Sequence, residues 1–280
     1  MSYSTMKIQF FVAMTALSIS CFSFAETTPT AINTELKPFN GVRVSMQRML
    51  KSSEGRYFMS LYAGIANPHA TLTDLVNNTT TDFKGTQIGD RLDLKSMSTN
   101  ADGTNSNDQL TGMLNANTGL FNASLLKKSK TVGQSILFEP AFKVSNKPVF
   151  TFKFYGQNDS KSPYGKTLKR VDVLNKNNNM VVQRLTGFDA FPNSIGYMDI
   201  NFDGYYDVIL SDVAQGRTVD EKRYIYWMYN PKTQQFQRSP QLEKIVGFPK
   251  LQGEKQQIDF GNGQVYQVKN GLLNRIVNDE

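Results

Sequence analysis

Residues 199–207 read Asp-Ile-Asn-Phe-Asp-Gly-Tyr-Tyr-Asp and carry oxygen side chains at the first, third, fifth and ninth positions. Calcium prefers several oxygen ligands, and a chain that turns sharply around the ion needs a residue without a Cβ, here Gly204. The candidate ligands are the side chains of Asp199, Asn201, Asp203 and Asp207 and the main-chain carbonyl of Tyr205. Three carboxylates this close repel one another unless a cation neutralises them. The run therefore predicts a Ca²⁺ site, and the alternative is an Asx-rich hairpin turn.

The residues around this loop distinguish it from an EF-hand. An EF-hand needs a bidentate Glu at its twelfth position, which is Leu210 in this chain. Residues 195–198 and 208–210 are β-branched, aromatic and aliphatic, which is typical of strands. We therefore predict a strand–loop–strand site in which calcium has a structural role.

The N-terminus is typical of an export signal over residues 1–25. Lys7 precedes a largely apolar stretch from residue 8 to residue 20, and small residues precede a cleavage position after Ala25. The stretch is too short and too polar for a membrane span, and we expect no transmembrane segment in the mature chain. Cleavage would remove Cys21, the only cysteine, so the mature protein would have no disulfide. A lipoprotein attached through Cys21 is the alternative that we consider less favoured.

Charge and composition argue against several classes of function. The chain has 31 Lys and Arg against 24 Asp and Glu, a net charge of +7. The basic residues are scattered and form no stripe with aromatic residues, so we expect no nucleic-acid partner but an acidic protein or an anionic cell-wall surface. The only histidine, His69, has no Asp or Cys close to it in sequence, which leaves little for a catalytic triad. We therefore expect that the protein is not an enzyme, although dispersed carboxylates of a hydrolase remain an open alternative.

Hydrophobic patterns predict an all-β protein with antiparallel sheets. Residues 149–155 place Phe150, Phe152 and Phe154 on one face, the period-two pattern of a half-buried strand. Pairs of Asn and Gly near the C-terminus predict tight turns, and Ser239 followed by proline predicts one short capped helix.

The chain divides by composition into four predicted parts. A flexible leader over residues 26–40 follows the signal, and a smaller β-rich N-terminal domain covers residues 41–137, with strands that end near glycine. Residues 138–280 are predicted to form a β-sandwich or a propeller-like domain. The Asn- and Asp-rich segment 100–108 predicts a hairpin loop, and a second cation site there is the alternative.

The order of motifs in the C-terminal half resembles a known family. The C-terminal half contains four features in order. They are a predicted strand, the segment 197–207 with its metal motif, an aromatic strand, and the run Tyr-Asn-Pro-Lys-Thr-Gln-Gln-Phe at 229–236. This order resembles the periplasmic lysozyme-inhibitor-like immunity proteins that accompany bacterial antibacterial secretion effectors. Their C-terminal domain is similar to inhibitors of invertebrate-type lysozyme. The resemblance covers residues 138–280 and implies a periplasmic β domain with bound calcium that inhibits a secreted peptidoglycan hydrolase.

Such an inhibitor would fill a saccharide cleft and contact the catalytic acids of the hydrolase. Related inhibitors use a loop that contains serine and glycine and ends in tyrosine, and the nearest counterpart in this chain is residues 160–166. On this resemblance we expect Ser162 and Tyr164 to enter the hydrolase cleft and Lys161 or Lys166 to face its acidic groups; the alternative is an ordinary solvated hairpin loop. The alternative function is a non-catalytic cell-wall or glycan-binding module stabilised by calcium, which 12 tyrosines and 19 phenylalanines would suit.

Overall fold

The computed structural model describes residues 35–97, 107–213 and 222–276. The predicted signal peptide, the leader before residue 35 and most of segment 100–108 lie outside these described residues. The first ten described strands are β1 (Lys37–Phe39), β2 (Arg43–Ser52), β3 (Tyr57–Ala63), β4 (His69–Asp74), β5 (Thr79–Ile88), β6 (Arg91–Ser96), β7 (Gln109–Leu114), β8 (Phe121–Leu126), β9 (Gln134–Pro140) and β10 (Phe150–Asn158).

The remaining elements continue the β pattern and include one helical turn. They are β11 (Lys166–Asn175), β12 (Val181–Leu185), β13 (Ser194–Met198), β14 (Asp207–Ser211), β15 (Tyr224–Asn230), β16 (Gln235–Arg238), α1 (Pro240–Glu243), β17 (Lys250–Gln252), β18 (Gln257–Asp259), β19 (Val265–Lys269) and β20 (Leu272–Arg275). Almost all pairings are antiparallel, which confirms the predicted all-β class.

Strands β2 to β9 form a closed antiparallel barrel. Each strand pairs with the next, and Leu50–Ser52 at the end of β2 pair with Phe138–Pro140 of β9 to close it. Large apolar side chains such as Phe83, Phe121 and Phe138 are buried in its core. An eight-stranded barrel has an interior just wide enough to be filled by side chains, and this apolar filling stabilises it.

The long strand β2 joins the barrel to the rest of the chain. Its first residues, Arg43–Met46, pair in parallel with Ser194–Tyr197 of β13, whereas its last residues close the barrel. We predicted a domain boundary at residue 138, and this residue lies within β9. One twelve-stranded sheet contains strands from both sides of it. The division into domains stays a prediction.

Three groups of four strands, formed by β1 and β10–β20, stack with β13–β16 in the middle. On one side, β1 and β10–β12 form a sheet, and on the other β17–β20 form another. Along β14, Val208 and Leu210 pack toward the first group, and Ile209 packs toward the second. Because both faces of β14 are covered, its sequence is a continuous apolar run and does not alternate.

Two local predictions need correction. The leader was predicted to reach residue 40, but residues 37–39 form β1, which pairs with β10, and Phe39 packs on the buried cluster beneath it. The helix after Ser239 is present, with Pro240 in its first turn, but the Ser239 side chain makes no capping hydrogen bond. In the described part of the chain, no helix has the length and apolar character that a membrane span requires.

The ion pair between Arg56 and Asp74 ties the β2–β3 turn to the end of β4. The Asp74 side chain is only 7% exposed and accepts hydrogen bonds from the Arg56 guanidinium at 2.7 Å and from Asn77 Nδ2 at 2.9 Å. These donors, with Arg56 first, hold the pKa of Asp74 well below its ordinary value.

We expect the Asp74→Asn variant to be about 1–2 kcal/mol less stable at neutral pH, because it loses the charge that pairs with Arg56. The loss is modest because Arg56 is partly exposed and the surrounding water screens the ion pair. The stabilisation by Asp74 is present above the ordinary carboxyl pKa of about 4 and is lost as pH falls through the lower folded value. Urea unfolding between about pH 2 and pH 7 measures this, and the difference between wild type and variant should shrink in acid. The exposed Asp90→Asn is the control, and an equal effect of both changes would contradict the prediction.

Candidate metal centre

The acidic loop joins two antiparallel strands of the central sheet. β13 ends at Met198 and β14 begins at Asp207, with Met198 paired to Asp207 across the ladder. This arrangement confirms the predicted strand–loop–strand context. Within the loop, Phe202 and Gly204 have positive φ angles of 57° and 89°.

Gly204 is needed for close packing as well as for its backbone angle. A Cβ at this position would lie 2.7 Å from Val144 Cγ1 and 3.0 Å from the carbonyl oxygen of Phe142. The rings of Phe142 and Phe202 lie 5.4 Å apart. The loop is thus pressed against the segment that connects β9 to β10.

The two acids at the ends of the loop are buried and bind main-chain amides. Asp199 is 2% exposed and accepts hydrogen bonds from the N–H groups of Asp203, at 3.0 Å, and Gly204, at 2.9 Å. Asp207 is 1% exposed and accepts hydrogen bonds from Ile200 N–H at 2.9 Å and Tyr229 N–H at 2.8 Å. These bonds fix the carboxylates in place and satisfy part of their capacity as acceptors.

The middle of the loop has the geometry of successive Asx turns. Asp203 accepts a hydrogen bond from Tyr205 N–H at 2.9 Å, and Asn201 Nδ2 donates to Asp203 Oδ2 at 2.9 Å. The Tyr205 ring packs against Tyr229, with ring centres 5.3 Å apart. The five predicted ligand residues thus lie within residues 199–207, and the side-chain oxygens of Asp199, Asn201, Asp203 and Asp207 accept hydrogen bonds from donors of this segment and from Tyr229.

Burial makes the negative charge of this loop costly. Burial, and to a smaller extent the charge of Asp203, raises the pKa of Asp199 to about 7. The pKa of Asp207 is also raised well above its ordinary value, first by burial and then by the charge of Asp199. A cation bound among these groups would favour their ionised forms and remove the repulsion between them.

The residues fit a hard cation in their chemistry, because every candidate donor is an oxygen and the buried carboxylates repel one another. Each carboxylate oxygen has a second lone pair beyond the one that its amide partner uses. Among the described residues, no group of three or more His, Cys, Asp and Glu side chains is arranged to hold a metal ion. The Ca²⁺ site stays a prediction that rests on donor type and charge.

Sequence reasoning did not identify the lysine beside this loop. The Lys147 ammonium lies 3.3 Å from the ring centre of Tyr206, and the charges of Asp199, Asp203 and Asp207 all act on it. Burial lowers the pKa of Lys147 to about 8, while Asp199 opposes that shift. No local signal could have revealed Lys147, because it lies in an irregular segment far from the loop in sequence.

The predicted partner loop connects β10 to β11 and contains both exposed and enclosed residues. Tyr164 is 48% exposed and packs edge-on against Phe191, and Lys161 is exposed. Ser162 is half-buried, and its hydroxyl donates to the carbonyl of Lys166 at 3.0 Å. The Lys166 ammonium lies over the ring of Phe39. Tyr164 and Lys161 are therefore accessible, whereas Ser162 and Lys166 maintain the shape of the loop.

Comparison with known proteins yields no relative from which a role could be inferred: no protein-family model, characterised sequence or solved structure matches this chain.

Proposed function

We propose that this chain is a non-catalytic, exported immunity protein of the periplasm that binds a secreted lysozyme-like peptidoglycan hydrolase and occludes its active-site cleft. The observation that carries the proposal is the β10–β11 loop, which is held by its own hydrogen bonds and leaves Tyr164 and Lys161 free to contact a partner. The resemblance of the C-terminal half to lysozyme-inhibitor-like immunity proteins supports the same function.

The loop has the rigidity that an inhibitor needs. Asp159 accepts hydrogen bonds from Lys161 N–H at 3.0 Å and Thr167 Oγ1 at 3.1 Å, and Gly165 N–H donates to the Ser162 carbonyl at 3.0 Å. Gly165 has a positive φ of 67°, which closes the turn. A loop that is already ordered loses little conformational entropy on binding, so more of its contact energy contributes to affinity.

The exposed side chains suit the cleft of a glycan hydrolase. A tyrosine ring offers a large, rigid contact with a polar end, and a lysine ammonium can form a charge-assisted hydrogen bond with a catalytic carboxylate. In this mechanism Tyr164 enters the sugar-binding cleft and Lys161 faces its acids, while Ser162 and Lys166 hold the loop.

Calcium has a structural role in the proposal. Asp199, Asn201, Asp203 and Asp207, with the carbonyl of Tyr205, would hold the ion, which would supply positive charge between buried carboxylates. With calcium bound, loop 199–207 would stabilise the central group of strands, β13–β16.

The test measures whether the purified protein inhibits hydrolysis of labelled peptidoglycan by lysozyme-like hydrolases, including an invertebrate-type lysozyme, the target class that the resemblance implies. We expect Tyr164→Ala to weaken inhibition about 30-fold or more, since a central aromatic contact contributes about 2 kcal/mol or more. Phe248→Ala is the matched control, because Phe248 is also exposed, at 39%, and also packs edge-on against a neighbouring ring. Equal inhibition by wild type and Tyr164→Ala would exclude this loop. Retention of the protein on purified peptidoglycan without any hydrolase would instead favour the glycan-binding alternative.

A further inference from the structure

A cavity of about 510 Å³ opens between the mouth of the barrel and the central sheet. Arg48 on β2 and Tyr197 on β13 line it, together with the β7–β8 loop and the segment between β9 and β10. Most of its other walls are apolar side chains, including Met46, Leu50 and Phe150. Its volume is in the range of cavities that hold small organic molecules.

Two cationic side chains and a phenol converge on this cavity. Arg48 is 8% exposed, and its Nη2 donates to the carbonyl of Ala116 at 3.0 Å. Burial raises the pKa of Tyr206, and the nearby Arg48 guanidinium opposes that shift. The Lys147 ammonium lies over the aromatic ring of Tyr206, 3.3 Å from the ring centre.

No carboxylate of the described residues lies within ion-pair distance of either cation. Arg48 Nε is buried without any hydrogen-bond acceptor. Within residues 35–97, 107–213 and 222–276, neither Arg48 nor Lys147 forms an ion pair. Glu139 also lines the cavity, but it is paired with Lys143. A buried charge without a partner costs free energy, and an anion that enters the cavity would recover it.

The acidic side chains of loop 199–207 do not form ion pairs with Arg48 or Lys147. Asp199 and Asp207 act on Lys147 through their charge, but their oxygens already accept hydrogen bonds from main-chain amides. Their carboxylates are not among the groups that line the cavity. The interior therefore combines an apolar wall with two unpaired positive groups and a hydroxyl.

We propose that this cavity binds a small organic anion, a carboxylate or phosphate joined to an apolar portion. The anionic group lies between Arg48 and Lys147 and contacts the Arg48 guanidinium, the Lys147 ammonium and the Tyr206 hydroxyl. The apolar portion packs against Met46, Leu50 and Phe150. No bond is made or broken, so the cavity is a binding site and not a catalytic one.

The test is calorimetric titration of the full chain with four probes: octanoate, octyl phosphate, octanol and inorganic phosphate. We expect saturable binding of octanoate or octyl phosphate, at least about ten-fold tighter than octanol, because a charge-assisted hydrogen bond in a dry site is strong. Whichever of the two anions binds more tightly identifies the preferred head group. Amide chemical shifts of Ala116 and Gly119, which border the cavity, should move on binding.

The variants Arg48→Gln and Lys147→Gln should each weaken binding of the better anion about ten-fold or more. Lys153→Gln, an exposed lysine on β10 outside the cavity, should leave binding unchanged. If Arg48→Gln does not fold, the half-buried Lys147 still provides the decisive comparison. Absence of saturable binding by both anions, equal binding of octanol, equal binding of inorganic phosphate, or indifference to Lys147→Gln would each overturn the proposal.

Discussion

Removal of calcium is expected to lower the melting temperature of this protein by about 5–10 °C relative to a sample in about 10 mM calcium. A ligand that binds only the folded state adds stability by mass action, about 2.7 kcal/mol at a concentration one hundred times its dissociation constant. A modest extracellular-type site with a dissociation constant of about 10⁻⁴ M would meet that condition. In a domain of this size each kcal/mol shifts the melting temperature by about 2–4 °C.

The structural reason for this expectation is the cost of charge in the loop between β13 and β14. Asp199 and Asp207 are almost fully enclosed. Besides burial, the charge of Asp203 raises the pKa of Asp199, and the charges of Asp199 and Asp203 raise the pKa of Asp207. Without a cation, the folded protein must either hold repelling carboxylates or take up protons. Bound calcium would remove both penalties, so we expect the folded state to gain stability when it binds.

Asp203→Asn is the variant that tests the site with the least disturbance to the fold. Asp203 is half-buried, and an amide oxygen can still accept the hydrogen bond from Tyr205 N–H, but the carboxylate charge is lost. We expect this variant to lose most of the calcium-dependent shift. Asp93→Asn, which changes an exposed aspartate on β6, should keep the full shift. Thermal scans in chelator, calcium and magnesium would measure this, and a melting temperature independent of calcium would contradict the metal site.

Local sequence patterns predicted the parts of the fold that depend on neighbouring residues. The alternation of Phe150, Phe152 and Phe154 gave the strand β10, and the Asn-Gly pair at 270–271 forms the turn between β19 and β20. The β-branched, aromatic and aliphatic residues at 195–198 and 208–210 correctly indicated β13 and β14. In each case the decisive signal is the side-chain period or a turn residue, and both are visible in a short window.

Long-range pairings could not be predicted in the same way. Nothing in residues 43–52 shows that one strand pairs in parallel with β13 and closes a barrel against β9. The cavity beside loop 199–207 was missed for the same reason, because Arg48 and Lys147 line one cavity only through this arrangement. Contacts between distant segments depend on the whole topology, and no local pattern specifies them.

Glycines were the clearest source of error within single elements. We predicted strands in the N-terminal half that end near Gly85, Gly112 and Gly119. Gly119 lies between β7 and β8, but Gly85 lies inside β5 and Gly112 lies inside β7, two residues before its end. Glycine within a strand also occurs where another backbone approaches closely, and the sequence alone does not distinguish the two situations.

Gly85→Ala is expected to destabilise the barrel by about 3 kcal/mol or more, because the added methyl group has no room. A Cβ at Gly85 would overlap the carbonyl oxygen of Asp93 and lie 2.9 Å from Leu94 Cα on the adjacent strand β6. Both obstacles are main-chain atoms, so no side-chain rotation relieves the overlap. The strands must move apart, which weakens the β5–β6 ladder and the packing of Leu94 in the barrel core.

Gly89→Ala separates this steric effect from the loss of backbone freedom. Gly89 lies in the turn after β5 with a φ of 57°, and a Cβ there would meet no heavy atom within 4 Å. This change should cost only about 1 kcal/mol, since an alanine is strained at positive φ but has space. Chemical unfolding of both variants should therefore show a difference of about 2 kcal/mol. If Gly85→Ala were no worse than Gly89→Ala, the close approach of β5 and β6 would not be what requires glycine at residue 85, and its place within the strand would need another physical cause.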